Sequence, residues 1–173
     1  NVFGYASTRG DAPKSTTRPT IALGGTWTLS TYWNIYYLIF TGSLASLVTP
    51  GYLGGIYHCK FTNSSATATD ACVSITNVNR VRNCEFVAAS CIGVKTTFAL
   101  DLQFCFFNGC ATSISTGSNT GSIINNIFKV FTKAIDQTAT TALTVIQNNT
   151  FYGGTSAAPA GTAITFASAQ AGC

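Results

Sequence analysis

Five carboxylates, one histidine and seven cysteines are the side chains here that suit acid–base, metal or nucleophilic chemistry. The acids are Asp11, Asp70, Glu85, Asp101 and Asp136, widely separated along the chain. Zinc wants four Cys, His or carboxylate ligands around one point. His58 stands alone, no Cys-x-x-Cys occurs, and no metal or other cofactor is expected. His58 directly precedes Cys59 and is expected to point outward. No glycine-rich loop followed by Lys-Ser or Lys-Thr is present to cradle a phosphate. Arg9-Gly10-Asp11 spells an integrin-type tripeptide, a match short enough to arise by chance. Asn63-Ser64-Ser65 and Asn148-Asn149-Thr150 match the glycosylation sequon. The first is expected in an accessible loop and the second inside a strand-bearing rung. Asp70, in the same loop as the first, is a candidate to meet a ligand.

The composition sets the class of element that carries these residues. Only 8% of the 173 residues are charged, against 46% hydrophobic, and much of the rest is Thr, Ser, Asn and Gly. Disorder goes with the opposite balance. The nine basic residues form no run, so nucleic-acid binding is not expected. The longest apolar stretch, residues 36–40, is too short to span a bilayer. With no Met anywhere, the chain reads as a processed mature chain or a fragment of a longer one.

One pattern recurs six times: an aliphatic residue, two residues, then Leu, Cys or Asn, one residue, then Phe. The copies are Ile35-Leu38-Phe40, Ile56-Cys59-Phe61, Val81-Cys84-Phe86, Leu102-Cys105-Phe107, Ile123-Asn126-Phe128 and Ile146-Asn149-Phe151. Phe to Phe, the steps are 21, 25, 21, 21 and 23 residues. A second track of aliphatics follows, read as Leu47, Ile75, Val94, Ile114, Ile135 and Ile164. Mostly small residues precede it by three positions, which would put Cys72 over Cys91. Rungs two and six carry insertions, residues 63–69 and 153–159.

A step of this length suits a coil of three short strands and three turns, each rung about 4.8 Å above the last. The Thr, Val, Ile, Phe and Gly content disfavours helix. The expected fold is therefore all-β, a right-handed parallel β-helix of about six rungs over residues 31–173. An arm and cap occupy residues 1–30, with Thr20 to Leu23 and Trp27 to Leu29 lying over the first rung. Stacking like on like would file the six Phe rings in one interior column, with Cys59, Cys84, Cys105, Asn126 and Asn149 in another. Cys there acts as a small apolar residue, and a free thiol is favoured over a bridge between rungs. Cys110 and Cys173 fall off these columns. Cys173 is the candidate for an intermolecular disulfide.

The Ile-x-Asn-Asn-x-Phe cores at Ile123 to Phe128 and Ile146 to Phe151 resemble the pectate-lyase-like right-handed β-helix superfamily, which includes phage tailspikes and surface adhesins. The likeness covers residues 34–166. It implies architecture more than activity, because that fold hosts enzymes and inert spacers alike. Enzymes of this kind that act on polysaccharides need clustered carboxylates, or an acid pair about 5–9.5 Å apart. No two acids share a column in adjacent rungs. Lys60 and Glu85 share a position in consecutive rungs, as do Arg80 and Asp101, and both are expected as outer-face charge pairs.

Tyr32, Trp33, Tyr36, Tyr37 and Tyr52 make an aromatic cluster, of which Trp33, Tyr36, Tyr37 and Tyr52 are the candidate contact surface, suited to subunit packing or sugar stacking. The reading that follows is a non-catalytic structural or attachment protein, extracellular, on a cell surface or on a virion. Its expected partner is itself, with surface polysaccharide as a second candidate. The rival is a polysaccharide lyase or hydrolase, or the carbohydrate-binding fragment of one.

Overall fold

In the computed structural model, the residues described are 2–3, 18–52, 54–77, 79–117, 121–138, 144–153 and 161–166. Three sheets of seven strands each run the length of the molecule. The first holds Val2–Phe3, Asn34–Tyr36, Gly55–Tyr57, Asn79–Arg82, Leu100–Gln103, Gly121–Ile124 and Thr144–Gln147. The second holds Thr20–Ala22, Ile39–Gly42, Lys60–Asn63, Glu85–Val87, Phe106–Asn108, Ile127–Lys129 and Thr150–Tyr152. The third holds Trp27–Thr28, Ser46–Thr49, Ala71–Ile75, Ile92–Thr96, Thr112–Thr116, Lys133–Gln137 and Thr162–Phe166. Every pairing is parallel, and each strand pairs with the strand three elements away. The chain is thus a β-solenoid of about six turns. The N-terminal strands join the sheets directly: Ile21 lies over Phe40 and Trp27 over Val48.

Three inward columns make the core. Ile35, Ile56, Val81, Leu102 and Ile123 file along the first sheet. Phe40, Phe61, Phe86, Phe107, Phe128 and Phe151 file along the second, with ring centroids 4.8–5.3 Å apart and near-parallel planes. That is the offset-stacked range, which adds about 0.5–1.5 kcal/mol per pair beyond area burial. Trp27, at the head of the third sheet, tilts its ring against Phe40 at 5.4 Å.

The third column differs from the one read in the sequence. It runs Val48, Val73, Val94, Ile114, Ile135 and Ile164. Leu47 and Ile75 lie outside it, and Cys72 shares a level with Gly93 rather than Cys91. The cause is local. In this sheet consecutive residues are both buried (Cys72 and Val73, Gly93 and Val94, Ser113 and Ile114, Ala134 and Ile135), so alternation does not mark the register. The first member of each pair is small for a reason. A Cβ on Gly93 would lie 2.7 Å from the Ser113 carbonyl oxygen and 2.9 Å from the Phe107 ring. At Gly93 the Phe107 ring takes the volume a side chain would need.

The turn from first to second sheet is two residues long and repeats in every rung. Its first residue is left-handed: Tyr37, His58, Asn83, Phe104, Asn125 and Asn148, with φ of 53–59°. Asn tolerates this region, but a bulky residue there stores strain of about 1–3 kcal/mol. Phe104 bears that strain while 54% exposed. Phe104→Asn is therefore expected to raise the melting temperature by about 2–4 °C, for about 1 kcal/mol of relief. A fall in the thermal scan would show that the ring is held by packing instead.

The second residue of the turn points inward and must satisfy backbone groups that the bend leaves over. Leu38 in the first rung has no group to donate, but from Cys59 on each one donates to the carbonyl of the aliphatic in the rung before. Cys84 Sγ reaches Ile56 O at 3.6 Å, Cys105 reaches Val81 O at 3.6 Å, and Asn149 Nδ2 reaches Ile123 O at 2.7 Å. The amides do more. Asn126 Oδ1 accepts from Cys105 N–H, and Asn149 Oδ1 accepts from both the backbone N–H and the Nδ2 of Asn126. Asn126→Leu would strand Cys105 N–H and the Leu102 carbonyl in the core. A loss of about 2–4 kcal/mol is expected in urea titration, with Asn126→Cys costing clearly less. Equal losses would refute the donor rule.

Candidate functional site

The outward positions of the first sheet and its turn carry two short aromatic stacks. Tyr36 and Tyr57 are adjacent in register, with centroids 4.9 Å apart. Beside them, at the left-handed turn, Tyr37 stacks on His58 at 4.8 Å. Tyr36 and Tyr37 are 6.3 Å apart, so the four rings form one continuous patch on the solenoid's side. Burial, then the neighbouring Tyr57 and Tyr37 hydroxyls, raise the Tyr36 pKa. Burial, and then the Arg18 charge, lower that of His58, so the patch has a neutral imidazole at neutral pH.

Trp33 and Tyr52 sit on the neighbouring corner, where the third sheet hands over to the first. Trp33 donates its indole N–H to Ser30 Oγ, and the Tyr32 N–H reaches Tyr52 O at 2.9 Å. Tyr57 and His58 were missed as members of the surface. The signal was available, since 21 residues separate both Tyr36 from Tyr57 and Phe40 from Phe61.

The four described carboxylates have structural partners. Lys60 Nζ binds Glu85 Oε1 at 2.9 Å across adjacent rungs. Asp101 pairs with Arg82, not with Arg80, which lies beside it in register. The longer diagonal suits the guanidinium, and Gln103 and Ser122 fill the remaining acceptor sites. Burial alone would push the Asp101 carboxyl up, but the hydrogen bonds from Arg82, Ser122 and Gln103 hold it below the usual range. Lys133 and Asp136 pair within one strand. Asp70, a candidate ligand contact in the sequence, instead accepts from Ser65 Oγ and latches the loop of residues 64–70.

The same loop overturns the reading of the sequons. Asn63 is buried, and its Nδ2 donates to Leu44 O and Ala71 O, both at 2.8 Å. Asn148 is the exposed one, at a turn. Arg9-Gly10-Asp11 and Cys173 lie outside the described residues.

The six described cysteines are free thiols and all are buried. Cys110, set aside in the sequence reading as off the columns, lies in the core with Sγ 3.7 Å from Phe86 O. Burial raises its pKa to about 12 and that of Cys91 to about 11. Burial likewise lifts Cys59, Cys72 and Cys84. Such thiols are poor nucleophiles and poor metal ligands. Among the described residues no three His, Cys, Asp or Glu side chains are grouped to hold an ion. No helix among them is long and apolar enough to cross a membrane.

Comparison with protein-family models, with curated proteins and with solved structures finds no match for this chain.

Proposed function

We propose that this protein is a non-catalytic structural or attachment part of an extracellular assembly, a cell surface or a virion, working as a homo-oligomer. We read its solenoid as right-handed and pectate-lyase-like, since parallel crossovers are right-handed in about 98% of cases. One observation carries the functional reading. Asp70, Glu85, Asp101 and Asp136 are each engaged in a structural pairing, leaving no two of them to act as acid and base. Buried, protonated thiols fit an oxidising compartment, because the reactive thiolate is suppressed. The test is incubation with a panel of acidic polysaccharides, following new reducing or unsaturated ends, alongside sedimentation of the protein alone. No turnover and a stable oligomer are expected, whereas turnover of any polymer would overturn the reading.

The aromatic patch favours one second reading, the carbohydrate-binding fragment of a depolymerase. On that reading Tyr57→Ala weakens binding to a retained polysaccharide two- to tenfold, the loss of about 0.5–1.5 kcal/mol of stacking. Affinity electrophoresis in gels containing the polymer measures it.

A further inference from the structure

A stack of identical rungs must end twice, and each end here presents the apolar residues that terminate the three core columns. The head of the three core columns is Val2, Ile21 and Trp27, and the tail is Ile146, Phe151 and Ile164. Among the described residues, those six are six of the eight hydrophobics that pack on the core yet stay only partly buried. No Asp, Glu, Lys, Arg or His occurs from Pro19 to Tyr57 or from Gln137 to Cys173. None of the described charge pairs lies on a terminal strand, although Lys133–Asp136 is one strand from the tail. Sheet edges that must stay unpaired are ordinarily guarded by charges, Pro or bulges. The tail rung shows instead Val145, Tyr152 and Phe166, which are 47%, 60% and 41% exposed.

We infer that the tail of one copy receives the head of a second copy of this chain, extending all three parallel sheets in register. This rests on the homomeric reading above and specifies its geometry. A partner for this end must offer three parallel edge strands at the same spacing around an apolar centre and need no charge to match. The head of this same chain does so: Val2 would continue the Ile146 column, Ile21 the Phe151 column and Trp27 the Ile164 column. Main-chain hydrogen bonds along three edges give affinity, and the columns give register. A head-to-tail contact of this kind does not close, so growth is open-ended.

Ala22 and Tyr152 begin and end one outward column, through Thr41, Thr62, Val87, Asn108 and Lys129. In a Cys173→Ser background, Ala22→Cys and Tyr152→Cys proteins are treated with a short bismaleimide, singly and mixed. Far-UV circular dichroism checks that each variant is folded. Cross-linked dimer is expected in the mixture and not in either protein alone, and a ladder of species in the double variant. Wild-type mass should grow with concentration in sedimentation, and Val145→Lys should weaken association at least tenfold. A protein that stays monomeric to millimolar concentration, or cross-links equally well singly, overturns the inference. A stable oligomer whose mixture gives no cross-link removes the end-on geometry alone and leaves homomeric assembly standing. Polysaccharide turnover by a protein that cross-links as expected removes the functional reading and leaves the end-on contact.

Discussion

Phe86→Ala is expected to destabilise the protein by about 4–5 kcal/mol, the top of the range for a buried aromatic truncated to alanine. Phe86 is fully buried between Phe61 at 5.3 Å and Phe107 at 4.8 Å. Truncation removes two ring contacts and leaves a void that the rungs above and below cannot close, because their spacing is set by backbone hydrogen bonds. The void also falls mid-stack. A solenoid's stability is a sum of rungs and nearest-neighbour interfaces, so a weak interface at the centre uncouples the halves. The denaturant transition should therefore broaden or split, with a smaller slope. Phe151→Ala is the control. That ring is half-buried and has one neighbour in the column, Phe128 at 5.0 Å, so about half the loss is expected. Equal losses at the two sites would show that column position does not matter.

Alkali should unfold the protein cooperatively, and the thiols are the reason. Cys59, Cys72, Cys84, Cys91 and Cys110 all have raised pKa values in the fold, burial being the first cause for each. The unfolded chain ionises its thiols near the ordinary value of about 8.5. Below that value both states are protonated and the contribution to stability is fully present. Above it the unfolded state gains by losing protons while the folded state cannot, so stability falls as pH rises. The loss continues until the folded thiols ionise, about 11 for Cys91 and about 12 for Cys110. Each thiol contributes a slope of about 1.4 kcal/mol per pH unit within its window. With five acting together against a total of about 5–15 kcal/mol, an unfolding midpoint between about pH 9 and 11 is expected. Cys91→Ala should make the pH dependence shallower by one thiol. At pH 8, maleimide should label the buried cysteines only after denaturant is added. Rapid labelling of any of the six described cysteines in the native Cys173→Ser protein would refute their burial.

The interior proved far more legible than the surface. The six Phe positions and their Cys and Asn companions could be aligned from spacing, because an inward column admits few residue types and repeats each of them. The third sheet resisted the same method. Its paired buried residues at Cys72 and Val73 break alternation, and the inserted loop before them hides two residues of offset. On the surface, Lys60 and Glu85 paired as register demands, while Asp101 chose Arg82 over Arg80. Side-chain reach, not register, settled that choice. Asn63 looked like an open loop residue, yet its amide is the clasp that ties that loop to Leu44 and Ala71.

The sequence by itself determined that this chain is a stack of parallel rungs, which residues fill the Phe and Cys/Asn columns, and that no two of its acids share a column in adjacent rungs. Those follow from periodicity and composition, which are properties of the chain alone. The tertiary structure decided which outward residues touch across rungs, joining Tyr57 to Tyr36 and His58 to Tyr37. It also decided which polar groups are spent inside the fold, and that the two ends expose the unfinished columns. These depend on the depth of each turn and the reach of each side chain, quantities that exist only once the rungs are stacked.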